Sequence, residues 1–112
     1  MNLIISDFDG TLFDSNYKKN IEAIEKNKNI DLIIATGRNY KSLKKDLKIR
    51  CKYYICNDGG NILNKDDKII YKNFFNQESI EIIYKRLKEL NYNDYFFDYI
   101  DSFDKKILNN IN

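Results

Sequence analysis

Three short apolar runs constrain this chain more than any other feature. Leu3-Ile4-Ile5, Ile30 to Ala35 and Tyr53-Tyr54-Ile55-Cys56 each break off into polar and glycine residues. Apolar runs of this length bounded by turn residues read as strands. Between the first two, Tyr17, Ile21 and Ile24 recur at helical spacing, with Asp14 or Ser15 available as an N-cap. Between the second and third, Leu43 and Leu47 mark one face of a helix that begins near Asn39. A strand, a helix and a second strand over this distance make a βαβ unit, whose crossover is right-handed and whose strands are parallel. The three polar tips must therefore emerge at one edge of the sheet. Beyond them, Ile62-Leu63, a polar turn at Asn64-Lys65-Asp66-Asp67 and Lys68-Ile69-Ile70-Tyr71 read as a hairpin. Gln77 to Leu90 then reads as a helix with Ile80, Ile83, Tyr84, Leu87 and Leu90 on one face.

The tips carry chemistry as well as turns. Asp7 and Asp9 lie two residues apart where the first strand ends, so a strand continued through them would aim both carboxylates the same way. In an open α/β sheet the ligand crevice lies outside the carboxyl ends of the strands. Two crowded carboxylates repel unless a cation lies between them or one keeps a proton. Asp and Gly are also ordinary turn residues, and spacing alone leaves that reading open. A calcium loop is excluded: it needs glycine at its sixth position and glutamate at its twelfth, where counting from Asp7 finds Leu12 and Lys18. Thr36-Gly37-Arg38 offers a hydroxyl, a freed backbone N–H and a guanidinium, the groups that hold an oxyanion, though alone it too reads as a turn. The third tip, Asn57-Asp58-Gly59-Gly60-Asn61, is again polar and glycine-rich.

In order and spacing, Asp7-Phe8-Asp9-Gly10-Thr11-Leu12, Ala35-Thr36-Gly37-Arg38 and Asn57-Asp58-Gly59-Gly60 resemble the haloacid dehalogenase-like phosphatase superfamily, most closely its Cof-type branch. The resemblance implies an α/β fold, a three-layer Rossmann-like core with a parallel sheet and an added β-hairpin near residues 61–72. On this layout residues 1–76 form the first half of the core, and 77–112 form a helix and the start of a cap. It further implies a Mg²⁺-dependent phosphomonoester hydrolase acting through an aspartyl-phosphate on a small phosphorylated metabolite, such as a sugar or nucleotide phosphate. Asp7 resembles the nucleophile and Asp9 the general acid and base; both are assigned to the metal, Asp9 through its backbone carbonyl. Thr36, Gly37, Arg38 and Asn57 resemble the phosphate- and substrate-binding groups. The chain contains no histidine, which suits a carboxylic acid to the proton transfer. Two motifs that the resemblance calls for, a lysine beside the nucleophile and a Gly-Asp-x-x-x-Asp pair, do not occur. The expected fold is thus incomplete at its C-terminus, and a truncated, catalytically incompetent relative that keeps only phosphate or metal binding or an interaction role is the alternative reading. Asp98, Asp101 and Asp104 lack the glycine and apolar strand of the missing motif and read as solvated positions.

Composition narrows the partners. Hydrophobic residues make up 43% and aromatics 14%, including nine Tyr and seven Phe, enough to fold and unlike a disordered chain. The net charge of +2 comes from 19 basic and 17 acidic residues spread along the chain, so no nucleic-acid or membrane stripe is expected. Lys41, Lys44, Lys45 and Lys48 read as a solvated helix face. No apolar stretch reaches spanning length and the N-terminus lacks a signal peptide's basic flank, so a cytoplasmic setting with Cys51 and Cys56 as free thiols is expected, Cys56 buried. An incomplete sheet would leave an edge uncovered, which predicts self-association.

Overall fold

The computed structural model describes residues 2–92. In chain order it contains β1 (Asn2–Asp7), α1 (Tyr17–Lys26), β2 (Ile30–Ala35), α2 (Tyr40–Asp46) and β3 (Tyr53–Cys56), then β4 (Asn61–Asn64), β5 (Ile69–Lys72) and α3 (Gln77–Glu89). A short 3-10 turn, Asn57–Gly59, joins β3 to β4. One sheet runs in the order β1-β2-β3-β4-β5. Its first three strands are parallel, and β4 and β5 return antiparallel as a hairpin. This is the α/β architecture expected from the sequence, a parallel sheet extended by a hairpin.

Register decides which residues meet. Ile4 pairs with Leu32, Ile34 with Tyr54, and Tyr54 with Leu63, so these side chains share a face. On that face Leu32, Ile34, Tyr54, Cys56 and Leu63 are buried against Ile21 of α1 and against Leu43 and Leu47 of α2 and its C-cap. Phe8 and Leu12 close the same cluster. Both cysteines are buried and free, Cys51 as fully as Cys56. The opposite face carries Leu3, Ile5, Ile33, Ile55 and Ile62, and on β1 it is bare: Leu3 is 56% and Ile5 62% exposed. Among the described residues nothing pairs with the outer edge of β1.

Helix starts follow their caps. The Asn39 side chain accepts from the Ser42 N–H at 2.8 Å to open α2, and Asn76 does the same with Ser79 at 2.8 Å for α3. At α1 the N-cap is Asn16, where Asp14 or Ser15 was expected. The reason is local: Asp14 Oδ1 accepts from the Asn16 N–H at 2.8 Å and from Asn20 Nδ2 at 3.2 Å, so its carboxylate anchors the capping residue instead of acting as the cap. The expected stripe on α3 forms, with Ile80, Ile83, Tyr84 and Leu87 half-buried and Leu90 exposed. Asp98, Asp101, Asp104 and the stretch assigned to the start of a cap beyond Tyr92 lie outside the described residues.

Candidate functional site

Parallel register brings the three tips together. Asp7, the last residue of β1, pairs with Ala35, and Ala35 pairs with Ile55, so whatever follows each strand opens onto the same edge. There Asp7, Thr36, Gly37, Asp58 and Gly59 line a cleft of about 330 Å³ over Ala35 and Ile55. One oxygen of Asp7, Oδ1, accepts from the Phe8 N–H at 2.9 Å. That tether orients the carboxylate and leaves Oδ2 without a hydrogen-bond partner among the described residues. Thr36 is buried, and its hydroxyl oxygen accepts from the Arg38 N–H at 3.1 Å. A larger groove of 540 Å³ opens where β2 and β3 begin, lined by Lys28, Arg50, Lys52 and Lys65 together with Glu25 and Asp31. It lies at the opposite end of the strands from the carboxylates.

Asp9 and Arg38 face each other rather than the cleft. The Arg38 fork donates to both oxygens of Asp9, Nε to Oδ2 at 2.8 Å and Nη2 to Oδ1 at 2.6 Å. Its remaining arm donates to Asp46 Oδ2 at 2.6 Å and to the Ser42 carbonyl at 3.3 Å. The guanidinium also sits over the rings of Phe8 and Phe13, 5.2 and 5.6 Å from their centroids. Hydrogen bonds to Asp9 first, then to Asp46, hold Arg38 protonated well above its ordinary range. Of the residues expected to act together, Asp7, Thr36 and Gly37 share the cleft, whereas Asp9 and Arg38 form an ion pair beside it.

Asn57 begins the 3-10 turn and does not line the cleft; its neighbour Asp58 does. Asn57 and Asp58 both adopt positive φ, 52° and 54°, a left-handed conformation that Asn and Asp tolerate better than other side chains. The turn is fastened to the end of β2 by two backbone bonds, Asn57 N–H to the Arg38 carbonyl at 2.9 Å and Asp58 N–H to the Thr36 carbonyl at 3.1 Å. As a result the Asp58 carboxylate comes over Gly37 so closely that a Cβ there would lie 2.9 Å from its Oδ1. A Cβ at 37 would make the exposed Asp58 carboxylate turn aside. Sequence reasoning passed over Asp58, and the signal that could have found it is an acidic residue in a polar tip otherwise made of Asn and Gly.

The polar side chains among the residues lining the cleft, Asp7, Asp58 and Thr36, all offer oxygen donors. Such a set suits a hard cation, and Mg²⁺ in particular is bound through one or two carboxylates while keeping several waters. Among the described residues, no three His, Cys, Asp or Glu side chains gather closely enough to make a fuller protein cage. Among them also, no helix is long and apolar enough to cross a membrane.

The fold is of the Rossmann-like α/β class, with acidic and hydroxyl side chains at the carboxyl ends of its parallel strands, where such sheets bind their ligands. Residues 4–110 match the family model of haloacid dehalogenase-like hydrolases, and the chain belongs to that family. An uncharacterized protein of Mycoplasma capricolum subsp. capricolum is 36% identical over an alignment of 81 residues, with coverage of 62% of this chain and 31% of that protein. Among solved structures, the fold resembles a phosphatase of the haloalkanoate enzyme superfamily from Bacteroides thetaiotaomicron (TM-score 0.74, 20% identity, 92% of this chain and 40% of that one). It also resembles a sugar phosphatase of subclass IIB of the same superfamily (TM-score 0.65, 21% identity, 99% of this chain and 47% of that one). The chain thus spans less than half the length of each of these proteins.

Proposed function

We propose that this chain carries the reacting carboxylates of a Mg²⁺-dependent phosphomonoester hydrolase that works through an aspartyl-phosphate on Asp7. The observation that carries this reading is the convergence of Asp7, Thr36 and Gly37 on one cleft at the carboxyl end of the sheet. Asp7 Oδ2, left open by the Phe8 tether on Oδ1, is the oxygen that would form the bond to phosphorus while the bond to the ester oxygen breaks. The Thr36 hydroxyl and the Gly37 N–H would orient the phosphoryl oxygens. Asp9 would give a proton to the leaving oxygen and take one from the water that then cleaves the aspartyl-phosphate. To reach either, it must first leave the Arg38 fork that holds both its oxygens. Asp7 would hold the cation, which supplies charge compensation between an anionic nucleophile and an anionic substrate. The substrate class is a small phosphomonoester, with sugar phosphates favoured because one similar fold is that of a sugar phosphatase.

A second reading is favoured by the Asp9–Arg38 ion pair: a domain that binds phosphate and cation without turning substrate over. An aryl phosphate assay with Mg²⁺, run on the wild type and Asp7→Asn, tests the first reading. Metal-dependent turnover that vanishes in Asp7→Asn is the expected result. Absence of turnover in the wild type refutes independent catalysis. The second reading then requires a rise in melting temperature with Mg²⁺ and beryllium fluoride, and an unchanged melting temperature refutes it too.

A further inference from the structure

The larger groove, at the opposite end of the strands from Asp7, combines a fixed aliphatic lining with unbalanced charge. Of its lining, Leu32 and Cys51 are buried, while Ile24 of α1 and Ile49, in the stretch after α2, pack against the same core cluster. The Lys52 N–H donates to the Leu32 carbonyl at 2.8 Å, so the chain entering β3 is bonded to β2 within the groove. A lining held in this way is formed before any ligand arrives. Its volume of 540 Å³ falls within the range of about 300–1,000 Å³ typical of small-molecule sites.

Four cations, Lys28, Arg50, Lys52 and Lys65, line this groove with two carboxylates, Glu25 and Asp31. Asp31 is taken by Lys52, whose Nζ lies 3.6 Å from its Oδ2. Arg50 Nη1 donates to the Lys65 carbonyl at 2.7 Å, which fastens the approach to β3 to the β4–β5 turn and brings two cationic residues together. Among the described residues Arg50 makes no other hydrogen bond, and neither Lys28 nor Lys65 has an ion-pair partner. Most of the N–H donors of the Arg50 guanidinium therefore remain open. The carbonyl end of α1, which finishes at Lys26, attracts positive charge and accounts for Lys28. It does not account for Arg50 and Lys65.

We propose that this groove binds an aromatic phosphate of nucleotide size, with its ring against Ile24 and Ile49 and its phosphate on Arg50 and Lys65. A guanidinium pairs with phosphate through two parallel N–H···O bonds, and a single bond to a carbonyl leaves that fork available. The aliphatic lining favours an organic phosphate over the inorganic ion, which would cover none of it. Glu25 and Asp31 interrupt the basic rim and would repel the backbone of a nucleic acid laid along it. The proposal stands without the reading of Asp7 as a nucleophile.

The test is titration of the isotope-labelled chain with adenosine monophosphate, adenosine or inorganic phosphate, followed through amide chemical shifts. It is run in about 0.15 M NaCl, where a screening length of about 8 Å suppresses diffuse charge attraction. EDTA is present, so that cation-dependent binding at the Asp7 cleft stays silent. Adenosine monophosphate is expected to shift the amides of Lys28, Arg50, Cys51 and Lys65, and to bind more tightly than adenosine or phosphate by roughly tenfold, the worth of a charge-assisted hydrogen bond. Arg50→Gln and Lys65→Gln should each weaken it by about the same factor, and Lys41→Gln, at an exposed position of α2, should leave it unchanged. Lys65→Gln keeps the backbone carbonyl that holds Arg50, so its effect reads the charge alone. Absence of shifts, shifts confined to Asp7, Thr36 and Gly37, phosphate binding as tightly as the nucleotide, or equal weakening by Lys41→Gln each overturns the proposal and leaves the proposed function standing.

Discussion

Replacing Arg38 with methionine removes the link between the loop after β1 and α2 while keeping much of the aliphatic stem. Arg38 is 22% exposed, and its partners Asp9 and Asp46 are 52% and 40% exposed, so both ion pairs are partly screened by water. Exposed pairs contribute about 0.2–1 kcal/mol each, and the two-pronged geometry on Asp9 places that pair at the upper end. The contact with Phe8 and Phe13 adds about 0.5–1 kcal/mol. Asp9 and Asp46, once released, return to solvent and incur little burial penalty. The sum is a loss of about 2 kcal/mol, which for a domain of this size lowers Tm by roughly 10 °C. Urea denaturation at low salt measures it, and repetition in 1 M NaCl separates the charge component, which must shrink there because the screening length falls to about 3 Å. A double-mutant cycle with Asp9→Asn should return a coupling of about 0.5–1 kcal/mol. An Arg38→Met protein as stable as the wild type, or a loss that is indifferent to salt, would show that the fork is not held as described.

Two further outcomes follow from burial and topology. Burial pushes the thiols of Cys51 and Cys56 up from an ordinary value of 9.0 to about 12. In the unfolded chain the thiols lose their protons first, so the stability they contribute is complete below pH 9 and is lost as pH rises from 9 toward 12. Burial raises Tyr17 as well, which adds to the same alkaline loss. Denaturation midpoints should therefore fall above pH 9, and a thiol reagent at pH 8 should label neither cysteine until the protein unfolds; rapid labelling of the folded protein would refute the burial. The outer edge of β1, with Leu3 and Ile5 exposed, should drive concentration-dependent self-association. Sedimentation of the wild type against Ile5→Lys checks this, and a strictly monomeric wild type would refute it.

Much of the site was legible along the chain because its causes are local. Asp7 and Thr36 reach one edge through a single strand-helix-strand unit, and parallel pairing of β1 with β2 follows from the helical crossover that returns the chain to the starting end of the sheet. Strand limits for β2 and β3 coincide with the apolar-rich runs because every second side chain is buried on the sheet, and polar residues end them. The α1 cap falls on Asn16 and on neither expected residue, because Asp14 spends its carboxylate on the Asn16 N–H, a contact that only the fold shows.

Arg38 belongs to the other category. As a residue type beside Thr-Gly it suits an oxyanion, yet its guanidinium goes to Asp9, 29 positions earlier, and to Asp46 on the following helix. No periodicity records that choice, because it depends on where the loop after β1 and the end of α2 come to rest. Asp58 is similar, since its value lies in a close approach to Gly37 that exists only once β2 and β3 are paired and the turn is bonded to the end of β2. The amino-acid sequence alone thus determined the strands, their direction and the edge at which the acids emerge, since these depend on spacing and chain reversal. The tertiary structure alone decided which charges face one another and which face the cleft, because pairing between distant side chains is a property of packed geometry and not of order along the chain.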